Sequence, residues 1–344
     1  MSNYWNKIPE ASKFCDNVIE NIQNYKLYPE ENFISLTKGI LASTRLDSQN
    51  EQFTIENLKS FQEKINNDIL WFGINHDPLI QPHGRAIAAK IFYAPQSEEY
   101  VLFVVTGYYN VTKFFKFKDI GIDSKNTIHE EHTIPPFDIE KTVIRIGFNK
   151  KEMDTDTASQ FEHDIANAPE FVIKEIDYRF RKTSDPFTTI TICIPIWLII
   201  ANPFSKKFLE VYAEEAAKKS LEIFKWIIDY IISKVNKIKN ERVLIEYESP
   251  CRSCHYQFLI DTKNTSKIIK ATELLYKAGN NSLYLYQNLQ KYDVVKIVYK
   301  FDTMNEHWEP IYAVTKKLGI ISDKPTLIAL DKLPGLSIGG RWGS

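Results

Sequence analysis

Apolar residues near the N-terminus recur every three or four positions, which is the spacing of amphipathic helices. This pattern predicts helices over Pro9 to Tyr25, Glu31 to Leu46 and Phe53 to Phe72. Thr54 and Asn57 stand three residues apart at the start of the third segment, which is an approximate capping pattern. The chain therefore begins with a predicted helical region.

Farther along the chain, short apolar segments lie between turn-like residues, and several alternate between apolar and polar positions as strands do. The polar, acidic stretch from Lys151 to Ala168 is either a helix or a long loop, and Ser266 to Gln290 is a predicted helix with a potential break at Gly279. The predicted strands are Ala86–Ala94, Tyr100–Tyr109, Val111–Phe117, Thr142–Phe148, Phe171–Phe180, Val243–Glu248, Tyr256–Asp261, Val294–Phe301, Trp308–Val314 and Thr326–Leu330.

The most apolar segment runs from Ile190 to Ala201, and Pro195 interrupts it. Proline lacks a backbone donor and is disfavoured within helices and central strands. The segment is then either a buried strand, Thr188 to Ile194, that turns at Pro195 into a helical turn, or a strand bent at the proline. A helix that spans a bilayer needs about 20 apolar residues, so this segment is too short to be one. We expect a core role, with contact to lipid or to a partner as the alternatives.

A long amphipathic pattern follows from Asn202, a plausible cap, to about Asn240. Unbroken, this helix would be roughly 55 Å long at 1.5 Å per residue. Its polar face mixes both signs of charge, which argues against a membrane-surface helix. The apolar stripe either packs into a core that bridges two domains or binds a partner or a second copy. The candidate interaction residues are Phe224, Ile228, Ile231 and Val235.

These elements predict an α+β protein. Its N-terminal part has helices and a mostly antiparallel sheet, a long amphipathic helix occupies the centre, and a small α/β module ends the chain. The predicted divisions are 1–185, 186–241 and 242–344.

Composition narrows the class of protein. Hydrophobic residues make up 44% and charged residues 25% of the 344 residues, which is typical of globular proteins. A net charge of -1 excludes a global basic field for nucleic acid. Four cysteines are too few and too scattered for a secreted disulfide framework, and no signal peptide is visible. We therefore expect a cytoplasmic protein, and the abundance of Lys, Asn, Ile and Tyr suggests a bacterial one.

The loop before the first predicted strand carries the best candidate for an active site. His76, Asp77, His83 and Arg85 could supply a general base, a carboxylate and an anion-binding guanidinium. The alternative is a connection structured by prolines, with exposed histidines. The chain has no GxxxxGK[ST], GxGxxG or GxSxG motif, which argues against NTPases, Rossmann enzymes and serine hydrolases.

Cys251, Cys254 and His255 form a CxxCH string, the sharpest motif in the chain. It could attach haem, bind a metal such as zinc, or act as a redox pair. It also fits a tight turn between two strands, which leaves little room for a porphyrin. No second CxxC is present to complete a zinc knuckle. No cofactor is expected, with zinc as the alternative.

From Thr183 to Trp342, the order of apolar strand, long helix and small α/β unit resembles accessory modules of uncharacterised bacterial conflict or anti-phage proteins. The resemblance rests on this order of elements and assigns no functional residue. It implies an interaction or sensor component that assembles through the central helix, with a protein partner or a second copy. The alternatives are an enzyme with a pocket around His76 and His83, and a membrane-active effector that uses residues 190–201.

Overall fold

A computed structural model of the chain describes residues 4–28, 31–46, 52–73, 77–125, 143–148, 153–174, 188–204, 214–239, 242–250 and 254–325. It shows the α+β class predicted from the sequence. The chain divides into two compact units. The smaller unit comprises residues 1–115, 316–320 and 324–344, and the larger unit comprises residues 116–315 and 321–323.

The described part of the smaller unit contains a four-stranded antiparallel sheet and three helices. Its strands are β1 (Phe33–Ser43), β2 (Trp71–Phe72), β3 (Gly84–Ala94) and β4 (Glu99–Tyr109). Its helices are α1 (Tyr4–Lys7), α2 (Pro9–Glu20) and α3 (Ile55–Asn67), with 3-10 turns at Ile22–Tyr25 and Val111–Lys113. The strand order is β1-β4-β3-β2. The strands predicted at 86–94 and 100–109 are confirmed.

Strand β4 shows how the sheet of the smaller unit is stabilised on both faces. Val101, Phe103 and Val105 join the apolar cluster around α2. Leu102 and Val104 join the cluster around α3. Because successive side chains of a strand point to opposite faces, one apolar strand serves two cores.

Helix α3 confirms the capping pattern seen in the sequence. The hydroxyl oxygen of Thr54 accepts a hydrogen bond from the Asn57 backbone N–H at 3.2 Å. The Asn57 side-chain oxygen accepts one from the Thr54 backbone N–H at 2.9 Å. These reciprocal bonds satisfy two backbone donors that a helix start leaves open.

The prediction of a helix over Glu31 to Leu46 is wrong, because this segment forms β1. The strand pairs with β4 from Phe33 to Ser43, but its register shifts twice, after Phe33 and after Ile40. Each bulge adds a residue and displaces the two-residue alternation. Apolar residues then fall at intervals that resemble a helix. The strand predicted over 111–117 is also wrong, because the structure has 3-10 turns there.

The thiol of Cys15 provides a pH-dependent test of the α2 core. Cys15 is fully buried, and burial raises its pKa from 9.0 to about 12. Between these values the unfolded chain ionises the thiol while the folded chain keeps it neutral, so stability falls as pH rises through 9. We expect urea unfolding to show this loss in the wild type and a smaller loss in Cys15→Ala. An equal pH dependence in both proteins would contradict the assignment.

The larger unit has an eight-stranded mixed sheet. Its strands are β5 (Ile144–Phe148), β6 (Val172–Lys174), β7 (Thr188–Cys193), β8 (Val243–Pro250), β9 (His255–Asp261), β10 (Val294–Asp302), β11 (His307–Thr315) and β12 (Gly319–Ile321), and of β12 only Ile321 belongs to the larger unit. The helices among its described residues are α4 (Thr155–Ala166), α5 (Ile196–Ile200), α6 (Glu214–Val235), α7 (Thr265–Glu273) and α8 (Leu275–Leu289), with 3-10 turns at Phe117–Ile120 and Gln290–Tyr292. The order is β12-β11-β10-β9-β8-β7-β5-β6.

Three parallel strand pairs explain where the helices of this unit lie along the chain. The pairs β5/β6, β7/β8 and β9/β10 are parallel, whereas β5/β7, β8/β9 and β10/β11 are antiparallel. A parallel pair needs a long crossover, and each of these crossovers contains a helix. The sheet therefore crosses both divisions predicted from the sequence, at 185 and at 241.

Several predicted elements of the larger unit are confirmed with adjusted bounds. The polar stretch after Lys151 forms helix α4, and the last long helix breaks at Leu274 rather than at Gly279. Of the strand predicted over 171–180, the described part is β6. The strand predicted over 326–330 lies outside the described residues.

The apolar segment after Thr188 follows the first of its two predicted forms. Strand β7 ends at Cys193, Pro195 precedes the short helix α5, and Ile190, Ile192 and Leu198 are buried. The segment therefore contributes to the core of the larger unit. Within the described residues, no helix combines the length and the apolarity needed to cross a membrane.

Helix α6 is the described part of the predicted central helix, and residues 202–204 before it form a turn. The candidate interaction residues on it are buried inside the chain. Phe224 is 1% exposed and Ile228 8%, and Ile231 and Val235 are fully buried. The core role, which the sequence left open beside partner binding, is the role that this burial supports.

Candidate ligand-binding face

In the loop predicted to be an active site, the described side chains contact backbone groups of the loop itself. His76 lies outside the described residues. A carboxylate oxygen of Asp77 accepts a hydrogen bond from the Leu79 backbone N–H at 3.0 Å. His83 is 3% exposed, and its Nδ1 lies 2.8 Å from the Gln81 carbonyl oxygen. These contacts are typical of a structured turn rather than of groups that point into a cleft.

Arg85 forms a buried ion pair instead of an anion site. Its Nε and Nη2 donate to the two carboxylate oxygens of Glu31 at 2.6 and 2.9 Å. Nη2 also donates to the Tyr25 carbonyl at 2.5 Å, and the Tyr109 hydroxyl donates to Glu31 at 3.3 Å. Burial raises the pKa of Tyr109 and the nearby Glu31 carboxylate adds to that shift, so the hydroxyl stays protonated. The Arg85 guanidinium therefore links β3 to the segment that precedes β1.

Within the CxxCH string, the described residues Cys254 and His255 lie on opposite faces of the sheet. Cys251 lies outside the described residues. Burial raises the pKa of Tyr299, and the nearby Tyr256 and Cys254 add to this effect, which puts Cys254 beside the apolar face of the sheet. His255 faces the other side, where its Nε2 lies 3.6 Å from Glu248. In the described part of the chain, no three His, Cys, Asp or Glu side chains are grouped as metal ligands.

The two faces of the larger sheet differ in chemistry. The apolar face carries the helix contacts: Phe148 packs on Phe161 of α4, and the Tyr247 and Tyr299 hydroxyls bond to α7 and α8. The opposite face carries polar residues near the middle of the sheet. We call these residues the carboxylate face: Thr191, Cys193, Glu246, Glu248, His255 and Gln257.

Strand register aligns the carboxylate face in rows. In one row, Cys193 of β7 stands opposite Glu248 of β8, and Glu248 stands opposite Gln257 of β9. In the next row, Thr191 stands opposite Glu246. Because side chains two residues apart share a face, both glutamates project from the same side of β8.

Polar contacts from the neighbouring strands orient the two carboxylates. The Thr191 hydroxyl donates to Glu246 at 3.4 Å, and the Cys193 thiol donates to Glu248 at 3.7 Å. The His255 imidazole lies 3.6 Å from the other Glu248 oxygen, an ion-pair distance when the ring is protonated. Residues of β7 thus contact both carboxylates, and His255 of β9 contacts Glu248.

Exposure increases along the carboxylate face towards one end of the sheet. Glu246 is fully buried, Glu248 is 8% exposed, and the His255 side chain is 34% exposed. Arg145 on β5 and Lys296 on β10 stand opposite Cys193 and His255, one strand farther out on either side. The centre of the face is therefore acidic, its flanks are basic, and solvent reaches it at the His255 end.

The chemistry of this face favours binding over nucleophilic attack. A thiol that donates to a carboxylate is stabilised as the neutral thiol, whereas a nucleophilic cysteine is a thiolate favoured by nearby cations. Glu246 and Glu248 act as acceptors, and Gln257 adds an amide oxygen. The arrangement suits a ligand that brings hydrogen-bond donors or positive charge.

The carboxylate face is visible in the sequence as two glutamates within an apolar strand, but the hydrophobic pattern alone does not show that they are buried. Glu246 and Glu248 alternate with Ile245 and Tyr247 inside a strongly apolar strand. Alternation usually indicates a solvent-exposed polar side. In the structure, both glutamates are buried, and this burial makes them candidates for a binding site.

Comparisons with protein-family models, curated proteins and solved structures find no match to the chain.

Proposed function

We propose that this protein is a non-catalytic binding component, a sensor or an assembly subunit, that recognises its ligand or partner at the carboxylate face. One observation carries the proposal: Glu246 and Glu248 are buried on one face in the middle of a sheet, with hydrogen-bond donors from β7 and the His255 imidazole of β9 beside them. Burying a carboxylate is unfavourable in free energy, because the charge loses its hydration. A sheet that served only as a core would therefore carry apolar residues at these positions.

The other candidate sites lend less support to a function. Arg85 is held by Glu31, His83 is buried beside its own loop, and the stripe of α6 packs inside the larger unit. The segment 190–201, which a membrane-active effector would release to lipid, is largely buried. A cytoplasmic location and a place in a bacterial defence complex stay predictions from the sequence.

Ligand-dependent stabilisation tests the proposal. Thermal unfolding would be followed for wild type, Glu248→Gln and the control Glu273→Gln, across a library of anionic, neutral and cationic small molecules and short peptides. Glu273 is a glutamate on α7 whose side chain is 44% exposed, so its substitution controls for the lost charge. A ligand that binds only the folded state raises the unfolding temperature. We expect compounds that stabilise wild type and Glu273→Gln but not Glu248→Gln.

Two results would contradict a binding role at this face. One is that every stabilising compound acts equally on Glu248→Gln. The other is that binding is lost only through substitutions elsewhere, such as Arg85→Met. Cys193→Ala should retain ligand binding, because the thiol orients Glu248 and is not one of the acceptors of this face.

A further inference from the structure

The amide oxygen of Gln257 indicates which kind of ligand the carboxylate face could bind. Its side chain is 3% exposed and its amide oxygen is buried. Among the residues that the structure describes, no donor reaches this oxygen. Buried polar atoms in folded proteins nearly always have a hydrogen-bond partner. A buried acceptor without a donor therefore marks a place where a bound group can supply one.

The position of Gln257 ties this acceptor to the two carboxylates. Gln257 stands directly opposite Glu248 in the antiparallel β8/β9 pair, on the same face. Glu246 lies two residues away on β8, a separation of about 6.6 Å at roughly 3.3 Å per residue. The three side chains form a corner of oxygen acceptors, with the partly exposed His255 at one end and the fully buried Glu246 at the other.

We propose that this acceptor corner binds a guanidinium or alkylammonium group, with the Gln257 amide oxygen and the Glu248 carboxylate as its hydrogen-bond acceptors and Glu246 as a second negative charge. This inference rests on the proposed function and names the ligand chemistry for the same face. A guanidinium carries five N–H donors in a planar fork and an ammonium carries three, so either can serve several acceptors at once.

A divalent metal ion fits the acceptor corner less well. Calcium takes six to eight oxygen ligands, usually from flexible loops, and magnesium demands near-ideal octahedral geometry. Here three side chains project from two adjacent strands, whose spacing the backbone ladder fixes. Planar or tetrahedral N–H donors can adapt to acceptors in a row, whereas a metal ion needs them to surround it.

Isothermal titration calorimetry on the full chain tests the inference with three probes: agmatine, spermidine and a hexa-arginine peptide. Sodium chloride at matched ionic strength controls for general screening. We expect binding of at least one probe, weakened at least about tenfold by Gln257→Leu, because hydrogen bonds to charged groups are strong. Glu248→Gln should weaken it further, and Glu273→Gln should leave it unchanged. Binding of the small amines points to a metabolite, and binding of the peptide alone points to a basic protein segment.

A second variant keeps the test decisive if Glu248→Gln fails to fold. Gln257→Glu replaces the amide by a carboxylate of the same shape, so a cation in the corner should bind as tightly or more tightly. Weaker binding of the cation to Gln257→Glu would overturn the inference, because the amide would then be acting as a donor.

The inference and the proposed function fail in different ways. If none of the three probes binds, or if binding survives both Gln257→Leu and Glu248→Gln, the inference is overturned. If the library yields only anionic or neutral ligands, or only calcium or magnesium, and these depend on Glu248, the inference falls while the proposed function stands. If no ligand depends on Glu248, both fall.

Discussion

Replacing Glu31 by Gln should destabilise the smaller unit by about 3–5 kcal/mol, which is the usual effect of breaking a buried ion pair. The Glu31 side chain is fully buried and that of Arg85 is 3% exposed. The variant removes the charge but keeps the shape, and it leaves the Arg85 guanidinium without its counter-charge. Urea unfolding, followed by tryptophan fluorescence, measures the change in the free energy of unfolding.

The network around Glu31 explains why this effect should be large. Besides its two bonds with Arg85, the carboxylate accepts a bond from the Leu27 backbone N–H at 2.8 Å. The guanidinium also lies over the ring of Phe33, with its carbon 5.5 Å from the ring centroid. Loss of the charge therefore disturbs contacts on the segment before β1, on β1 itself and on β3.

An exposed ion pair in the same unit provides the matched control. Lys38 and Asp16 lie 2.8 Å apart, with side chains 36% and 50% exposed. Exposed pairs of this kind contribute about 0–1 kcal/mol, so Asp16→Asn should have a small effect. The double variant Glu31→Leu with Arg85→Met should be more stable than Glu31→Gln, because no buried charge remains unpaired. Comparable losses for Glu31→Gln and Asp16→Asn would rule out the buried pair as a major stabilising contact.

Local signals in the sequence predict elements well where the decisive interactions lie within a few residues. The cap of α3 depends on Thr54 and Asn57, and the end of β7 depends on Pro195. The helix wrongly predicted over 31–46 shows the limit of this approach. Its apolar spacing fits a strand only because the register shifts twice against β4, and β4 begins more than fifty residues later in the chain.

The candidate site is harder to predict from the sequence, because its residues come together only through the pairing register of three strands. Thr191 meets Glu246 only through the parallel pairing of β7 with β8, and the chain between them includes the helices α5 and α6. The sequence patterns can identify each strand but not which strands are neighbours or which face is buried. The proximity of His83 to Arg85 in sequence is a weaker guide, because both side chains serve local structure.

Gly84 marks a close approach of strands at which any side chain should be strongly destabilising. A Cβ atom at this position would lie 2.1 Å from the Gly107 backbone oxygen and 2.5 Å from the ring of Phe72. The neighbouring strand has the same requirement, since a Cβ on Gly107 would lie 2.3 Å from the ring of Phe33. Two glycines thus allow aromatic rings to pack against the ends of the two central strands.

Gly84→Ala should therefore destabilise the smaller unit by about 3 kcal/mol or more, at or above the upper range for overpacked sites, because the nearest atom belongs to the backbone. Gly73→Ala is the control: nothing lies within 4 Å of the position that its added methyl group would occupy, and we expect a change of no more than about 1 kcal/mol. Adding Phe72→Leu to Gly84→Ala should not restore stability, since the contact with the Gly107 oxygen persists. Urea unfolding of wild type and these three variants decides the matter, and recovery in the double variant would show that the ring, not the backbone, sets the constraint.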